Sequence, residues 1–402
     1  MRLKNSFVAI GALIISLLQA RTAPVDEQLL SAADNTFAFR LLQQIAKDQP
    51  GADIFISPYS AATILQMVGN GAAGQTEIEM RQVLGTTGLS STAIGAANQV
   101  ITTRLRDFDT NVMLTTANAV WYQRSFSVRP EFISDSKRFF DATIAPLNFA
   151  DPHSVEVIND WAGDQTHGKI TRLADGMIDP VNTRLFLANA VYFKGKWADP
   201  FEPKQTKDRT FHLVDGSAKN VPMMTKTKTF TYRRGTGYQA VRLPYENENL
   251  AMYVFLPDTN SSPEKLLGLM NGDTWKRITK PGFSEKEGTL VLPRFKLEYE
   301  VELNQPLEEL GMKSAFDPLH ADFSGIGPQL FISAARQKTF VEVKEEGTEA
   351  AAVTGLAVSA NAKLTPLDPF RMIVDRPFLF LIDDKRTGVI LFMGVVFDPH
   401  AD

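Results

Sequence analysis

The chain has 402 residues, 44% of them hydrophobic and 10% aromatic, with 26 glycines, 22 prolines and no cysteine, a composition that excludes a disordered or low-complexity protein. A net charge of −4, with lysines and arginines spread along the chain, leaves no electrostatic footprint for nucleic acid. The lack of cysteine excludes disulfides, thiol catalysis and cysteine-metal sites, so the fold must hold by packing alone.

At the N-terminus Arg2 and Lys4 precede a run of apolar or small residues from Phe7 to Leu18, followed by Gln19 to Ala23. That is the pattern of a secretory signal peptide over residues 1–23. The run is too short to span a bilayer, and Pro24, Asp26 and Glu27 close it. The cleavage site is poorly marked, since neither Ala20 nor Ala23 has a small residue two positions before it. Export is expected, to the extracellular space or, in a double-membrane bacterium, the periplasm, with no membrane attachment.

Residues 26–47 place Leu30, Ala33, Phe37, Leu41 and Ile45 at three- and four-residue steps, an amphipathic helix ended by Asp48, Pro50 and Gly51. Residues 54–56 read as a short strand running into Ser57 and Pro58, an N-cap and first-turn proline for a helix to about Val68. Gly69, Gly71 and Gly74 break that helix, and Thr76 with Glu79 forms a capping box for another that stops at Gly85. Residues 112–122 are strand-like, Pro130 and Glu131 start a helix, and 155–167 forms another ending at Gly168.

Residues 185–193 are apolar on both faces, the pattern of a strand covered on both sides of its sheet. Asn189 interrupts them. A buried carboxamide costs about 1–3 kcal/mol unless hydrogen-bonded, so partners from a neighbouring element are expected. Strands then dominate: 221–224, 229–233, 240–244, 250–256, 290–301, 330–343, 373–382 and 389–397, the last two joined by the turn DDKRTG. Helices first and strands after is the α+β order. No Pro/Ser-rich linker interrupts the chain, so residues 24–402 are expected to form a single domain.

Residues 345–363, EEGTEAAAVTGLAVSANAK, stand apart: from Ala350 to Ala362 there is no charge, and the side chains are small or β-branched. The segment reads as an exposed loop whose side chains are small enough to be accepted elsewhere, or as a flexible Ala/Gly/Ser linker.

No catalytic setting is visible. His153, His167, His212, His320 and His400 lie in no nucleophile elbow or HExxH helix. Residues 69–74, GNGAAG, follow a helix and lack the lysine of a phosphate loop, so their glycines serve to end that helix. Metal-ligand spacing is absent, no cofactor is expected, and the enzyme class has no support.

Nine ordered segments carry a specific resemblance: IFISPYS (54–60), GAAGQTEIEM (71–80), LANAVYFKGKWADPF (187–201), VPMM (221–224), LPYENENLAMYVFLPD (243–258), LPRF (292–295), GMKSAFDPLHADFSGI (311–326), EVKEEGTEAA (342–351) and DRPFLFLIDDKRTGVILFMGVVFDP (375–399). Over essentially its whole mature length the chain resembles the serpin family. The resemblance implies three β-sheets with eight or nine helices and an exposed reactive loop, here about 346–370. It also implies inhibition by trapping: a serine or cysteine endopeptidase cleaves the loop, forms an acyl-enzyme, and is caught as the cleaved loop inserts into the central sheet, a known case of strand addition and stored strain.

By family position the hinge covers Glu345, Gly347, Thr348, Glu349, Ala350, Ala351, Ala352, Val353 and Thr354. Alternation would turn Thr348, Ala350, Ala352, Thr354, Leu356 and Val358 inward, all uncharged. An inserted strand of about eleven residues would add on the order of 10 kcal/mol in ladder hydrogen bonds and buried methyls, comparable to the stability of a whole domain. The resemblance further implies that Glu345 pairs with Arg294 beside Trp197. Ser57, Ser60 and Asn189 would sit where the central strands part. Many relatives carry a histidine facing those serines; Gln337 here donates and accepts but does not titrate.

Family spacing places the scissile bond at Asn361-Ala362, with Ala360, Lys363 and Leu364 as alternatives. Lys363-Leu364 would suit a trypsin-like enzyme, Ala360 or Ala362 an elastase-like one, and Asn361 an asparagine-specific cysteine protease. The competing reading is a non-inhibitory serpin acting as carrier, chaperone or storage protein. Its hinge would carry proline, charge or bulk, unlike Thr348, Ala350, Ala351, Ala352 and Thr354. Arg104 and Arg106 are alone in their neighbourhood, so no heparin site is expected, and the protein is expected to be a monomer.

Overall fold

The structure, a computed structural model, describes residues 27–106, 112–279, 282–348 and 368–400. The expected signal peptide, hinge positions 349–354 and every candidate for the scissile bond lie outside these residues.

The first half runs α1 (Glu27–Asp48), β1 (Ile54–Ile56), α2 (Pro58–Gly69), α3 (Gly74–Leu84), α4 (Ser91–Arg106), β2 (Val112–Gln123), α5 (Pro130–Phe140), β3 (Thr143–Leu147), α6 (Ser154–Gln165) and β4 (Leu185–Lys196). Then follow β5 (Lys207–His212), β6 (Ala218–Gly235), β7 (Tyr238–Pro244), β8 (Leu250–Pro257), α7 (Pro263–Gly268), α8 (Gly272–Thr279), β9 (Ser284–Pro293) and β10 (Phe295–Glu302). The chain closes with α9 (Asn304–Glu309), β11 (Ile332–Lys344), β12 (Gly347–Thr348), β13 (Phe370–Ile373), β14 (Phe378–Asp384) and β15 (Val389–Val396).

A six-stranded sheet has the order β10-β11-β12-β4-β2-β3, with β11 and β4 also pairing directly as parallel neighbours. A nine-stranded network runs β1-β15-β14-β8-β7-β6-β9-β13, with β5 on β6. The second and third sheets implied by the resemblance are thus joined. The cause is β6, whose single run of residues pairs with β5 at its start, with β9 from Met223 to Tyr232, and with β7 at its end.

Every residue of α2 is buried, because the helix sits at the centre with α1 and β15 against it. β4 is buried along its length, as its two-faced apolar pattern requires: Val191 and Phe193 point to the core shared with the nine-stranded network, while Phe186, Ala188 and Ala190 pack under α6.

Five local expectations are corrected. Residues 221–224 and 229–233 are one strand, because the intervening Thr and Lys residues keep the ladder with β9 unbroken. Residues 290–301 split at Arg294 between two sheets, and 373–382 splits where Pro377, which has no N–H to give, precedes β14. Thr76 and Glu79 do not form a capping box. Thr76 lies inside α3, its hydroxyl accepting from Asp322 N (3.0 Å), and Glu79 accepts from the N–H groups of Lys313 (2.9 Å) and Ser314 (2.7 Å). Ser57 precedes α2 as expected, but its hydroxyl donates to Leu391 O (2.8 Å) in place of a helix cap.

Candidate functional site

The parallel seam between β11 and β4 is closed from Ile332↔Leu185 to Phe340↔Tyr192. Above Phe340 the strands part, and the two residues of β12 fill the gap. Gly347 pairs with Lys196 and Lys344, and Thr348 with Gly195 and Val343, antiparallel to both neighbours. The start of the predicted hinge therefore lies as a strand between the two central strands of the sheet.

Each described hinge position, Glu345, Gly347 and Thr348, has a built surrounding. Thr348 is 0% exposed and its hydroxyl meets the Tyr245 hydroxyl at 2.8 Å. Tyr245 stacks on Trp197 with ring centroids 4.6 Å apart. Gly347 holds φ +152°, and a Cβ there would lie 2.2 Å from Gly195 O, so only glycine lets the chain pass so close to β4. Trp197 secures the turn twice, its backbone N–H donating to Glu346 O (2.9 Å) and its indole N–H to Lys344 O (3.0 Å).

Glu345 is 4% exposed and pairs with Arg294, which donates from Nε (2.9 Å) and Nη2 (2.6 Å) to one carboxylate oxygen; the Thr206 hydroxyl donates to the same oxygen. Burial pushes this carboxyl up, but the hydrogen bonds from Arg294 and Thr206 outweigh it, and the group is held below its ordinary value of 4.5. Because the folded form binds the proton less tightly than the unfolded, the clamp contributes fully above pH 4.5 and is lost as pH falls through the lowered value. Glu345→Gln, which removes a charge-assisted bond worth about 1.5–3 kcal/mol, is expected to abolish this acid-side loss. Hydrogen exchange of the Phe201 N–H, which donates to Glu345 O (2.8 Å), measures it.

The second predicted group lies lower on the same seam, where Asn189 and Gln337 are cross-strand partners. Gln337 Nε2 donates to Asn189 Oδ1 (2.5 Å) and Ser57 O (2.9 Å), while Gln337 Oε1 accepts from Ser57 N (2.8 Å). Asn189 Nδ2 donates to Ser60 Oγ and to Asn118 Oδ1 (2.6 Å). The carboxamide expected to need partners has them on three elements: α2, β2 and β11. The N-terminus of α2, β4 and β11 are thus tied through one buried amide network, and separating β11 from β4 breaks its central bond.

Sequence reasoning missed Asn118, Tyr245 and Thr206. Asn118 sits in the strand-like run 112–122 as a second polar residue on a buried face, the same signal that marked Asn189. Tyr245 and Thr206 carry no local signal, since each acts through a contact about a hundred residues or more away in sequence. Among the described residues, His153 faces Asp151, His320 faces Asp317 and His400 faces Asp398, and all three histidines are exposed.

The family model described as serpin (serine protease inhibitor) matches residues 32–399. The chain belongs to the serpin family. The leukocyte elastase inhibitor of Bos taurus is 36% identical over 382 residues, covering 92% of this chain and 99% of that protein. Plasminogen activator inhibitor 1 of Sus scrofa is 32% identical over 409 residues, covering 99% and 100%. The solved structure of human thyroxine-binding globulin superposes with a TM-score of 0.83 at 27% identity, covering 93% of this chain and 100% of that one. The family is described by inhibition of serine proteases, and the Bos taurus and Sus scrofa relatives above are named inhibitors, not enzymes. The serpin fold alone does not decide inhibition, since the thyroxine-binding globulin shares it.

Proposed function

We propose that this protein is a secreted, monomeric inhibitory serpin that traps a serine endopeptidase, or a cysteine endopeptidase if cleavage follows Asn361. The observation that carries the reading is β12: Gly347 and Thr348 are paired on both sides between β11 and β4. Each further loop residue would step back by one on both neighbours. Thr354 would then come opposite Asn189 and Gln337, which are already partners in the closed seam, so the strand can enter without a register shift. The small, uncharged inward set from Thr348 to Thr354 suits burial on that path. The signal-like N-terminus supports export.

The test is a protease panel covering trypsin-like, elastase-like and asparagine-specific enzymes, scored for a denaturant-resistant complex, with mass spectrometry of the released C-terminal peptide. A covalent complex and a single cut among residues 360–364 are expected. Cleavage by every enzyme with no complex from any would overturn inhibition in favour of a non-inhibitory serpin.

A further inference from the structure

The β4–β11 seam has a cover that the hinge does not account for. After α6 the chain turns back through His167, Gly168 and Lys169, then runs over the outer face of the six-stranded sheet before entering β4. His167 and Gly168 both hold left-handed backbone, φ 53° and 78°, which makes the turn tight. Ile170, Leu173 and Ala174 are wholly buried and pack with Phe186, Ala188 and Ala190 of β4 and Ala334 of β11. Asn159 of α6 fastens the far side, accepting from Leu173 N (2.7 Å) and Ala174 N (2.9 Å).

From this strap, contacts reach β11 at alternate residues. Lys169 Nζ stands over the Phe340 ring at 5.1 Å, Lys338 Nζ donates to Arg172 O (3.2 Å), and Arg336 Nη1 donates to Asp175 O (2.8 Å). Three residues along the strap keep pace with two along the strand. On the other side of the seam the His167 ring meets Tyr192 of β4 edge-on, centroids 6.0 Å apart. Tyr192 and Phe340 are the last direct partners before the strands part around Thr348. The turn therefore touches both strands at the point where they separate.

We infer that the His167-Gly168-Lys169 turn is a clasp across this seam, and that His167 and Lys169 are positioning residues setting how fast a strand enters between β4 and β11. The inference rests on the insertion mechanism proposed above. Opening the seam moves Phe340 away from Tyr192, and one turn cannot follow both, so at least one ring contact breaks before the strand advances.

The test uses the full chain and a fluorescein-labelled synthetic peptide with the sequence of residues 348–358, its stable association followed by native electrophoresis. Lys169→Ala is expected to take up the peptide about fivefold faster than the parent, the loss of one cation–π contact. His167→Asn, which keeps a residue tolerant of left-handed backbone, is expected to move the rate the same way. Lys169→Arg, which keeps a cation over Phe340, is expected to restore the parent rate; a residue that served only the fold would change melting temperature without this rescue. Equal rates in all four proteins, or slower uptake by the alanine variant, would overturn the clasp while leaving insertion standing. A parent that takes up no peptide overturns the insertion mechanism itself.

Discussion

Thr348→Arg is expected to leave the protein folded and cleavable but to abolish trapping. Thr348 is fully buried, its hydroxyl on Tyr245 and its backbone held between Gly195 and Val343. The space below it is already taken: Tyr245 stacks on Trp197 and packs edge-on against Phe193. A guanidinium forced into this contact is a buried charge without a partner, a cost of about 3–5 kcal/mol. The hinge escapes that cost by leaving the seam. β12 is the start of the path, so a strand that cannot begin there cannot advance, and the acyl-enzyme has time to hydrolyse. The ratio of cleaved inhibitor to trapped protease should rise about a hundredfold or more. Thr348→Ser, which keeps the hydroxyl, should trap nearly as the parent does. A Thr348→Arg protein giving the parent's yield of denaturant-resistant complex would sink insertion from the hinge as the mechanism.

Much of this arrangement is legible in the sequence because burial leaves a pattern. The two-faced apolar run of β4 announces a central strand, and a carboxamide within it announces the network that Asn189 makes with Ser60, Asn118 and Gln337. The helix-then-strand order and the closing hairpin follow from periodicity and turn residues. What periodicity does not show is which sheet a strand joins. Residues 290–301 read as one strand, yet Arg294 leaves the ladder to reach Glu345, and the chain passes from one sheet to another there. Thr76 and Glu79 have a capping-box spacing but serve the 313–322 segment, because tertiary partners outcompete the local ones. The short helices α7 and α9 are too brief for a 3.6-residue period to register. Positions such as Tyr245 and Thr206 acquire meaning only when the fold sets them against the hinge.

Thr354→Val should cost the cleaved protein most of what insertion gains at the centre of the sheet, while leaving the uncleaved protein unchanged. In the closed seam Gln337 Nε2 donates to Asn189 Oδ1, and both side chains are 1% exposed. An inserted strand moves β11 and β4 from about 4.8 Å to about 9.6 Å apart, so this bond cannot survive. Both amides remain buried, and each then lacks one partner. Continuing the register of Gly347 and Thr348 delivers residue 354 between them, and a threonine hydroxyl can donate to Asn189 Oδ1 while accepting from Gln337 Nε2. Valine has the same shape and does neither. Two buried polar groups left unpaired cost about 2–6 kcal/mol, a large share of the roughly 10 kcal/mol expected from the whole strand. The thermal stability gained on loop cleavage should therefore fall sharply in Thr354→Val and return in Thr354→Ser. If the cleaved valine protein melts with the cleaved parent, some other residue reaches the amides, and the register read from β12 does not extend down the seam.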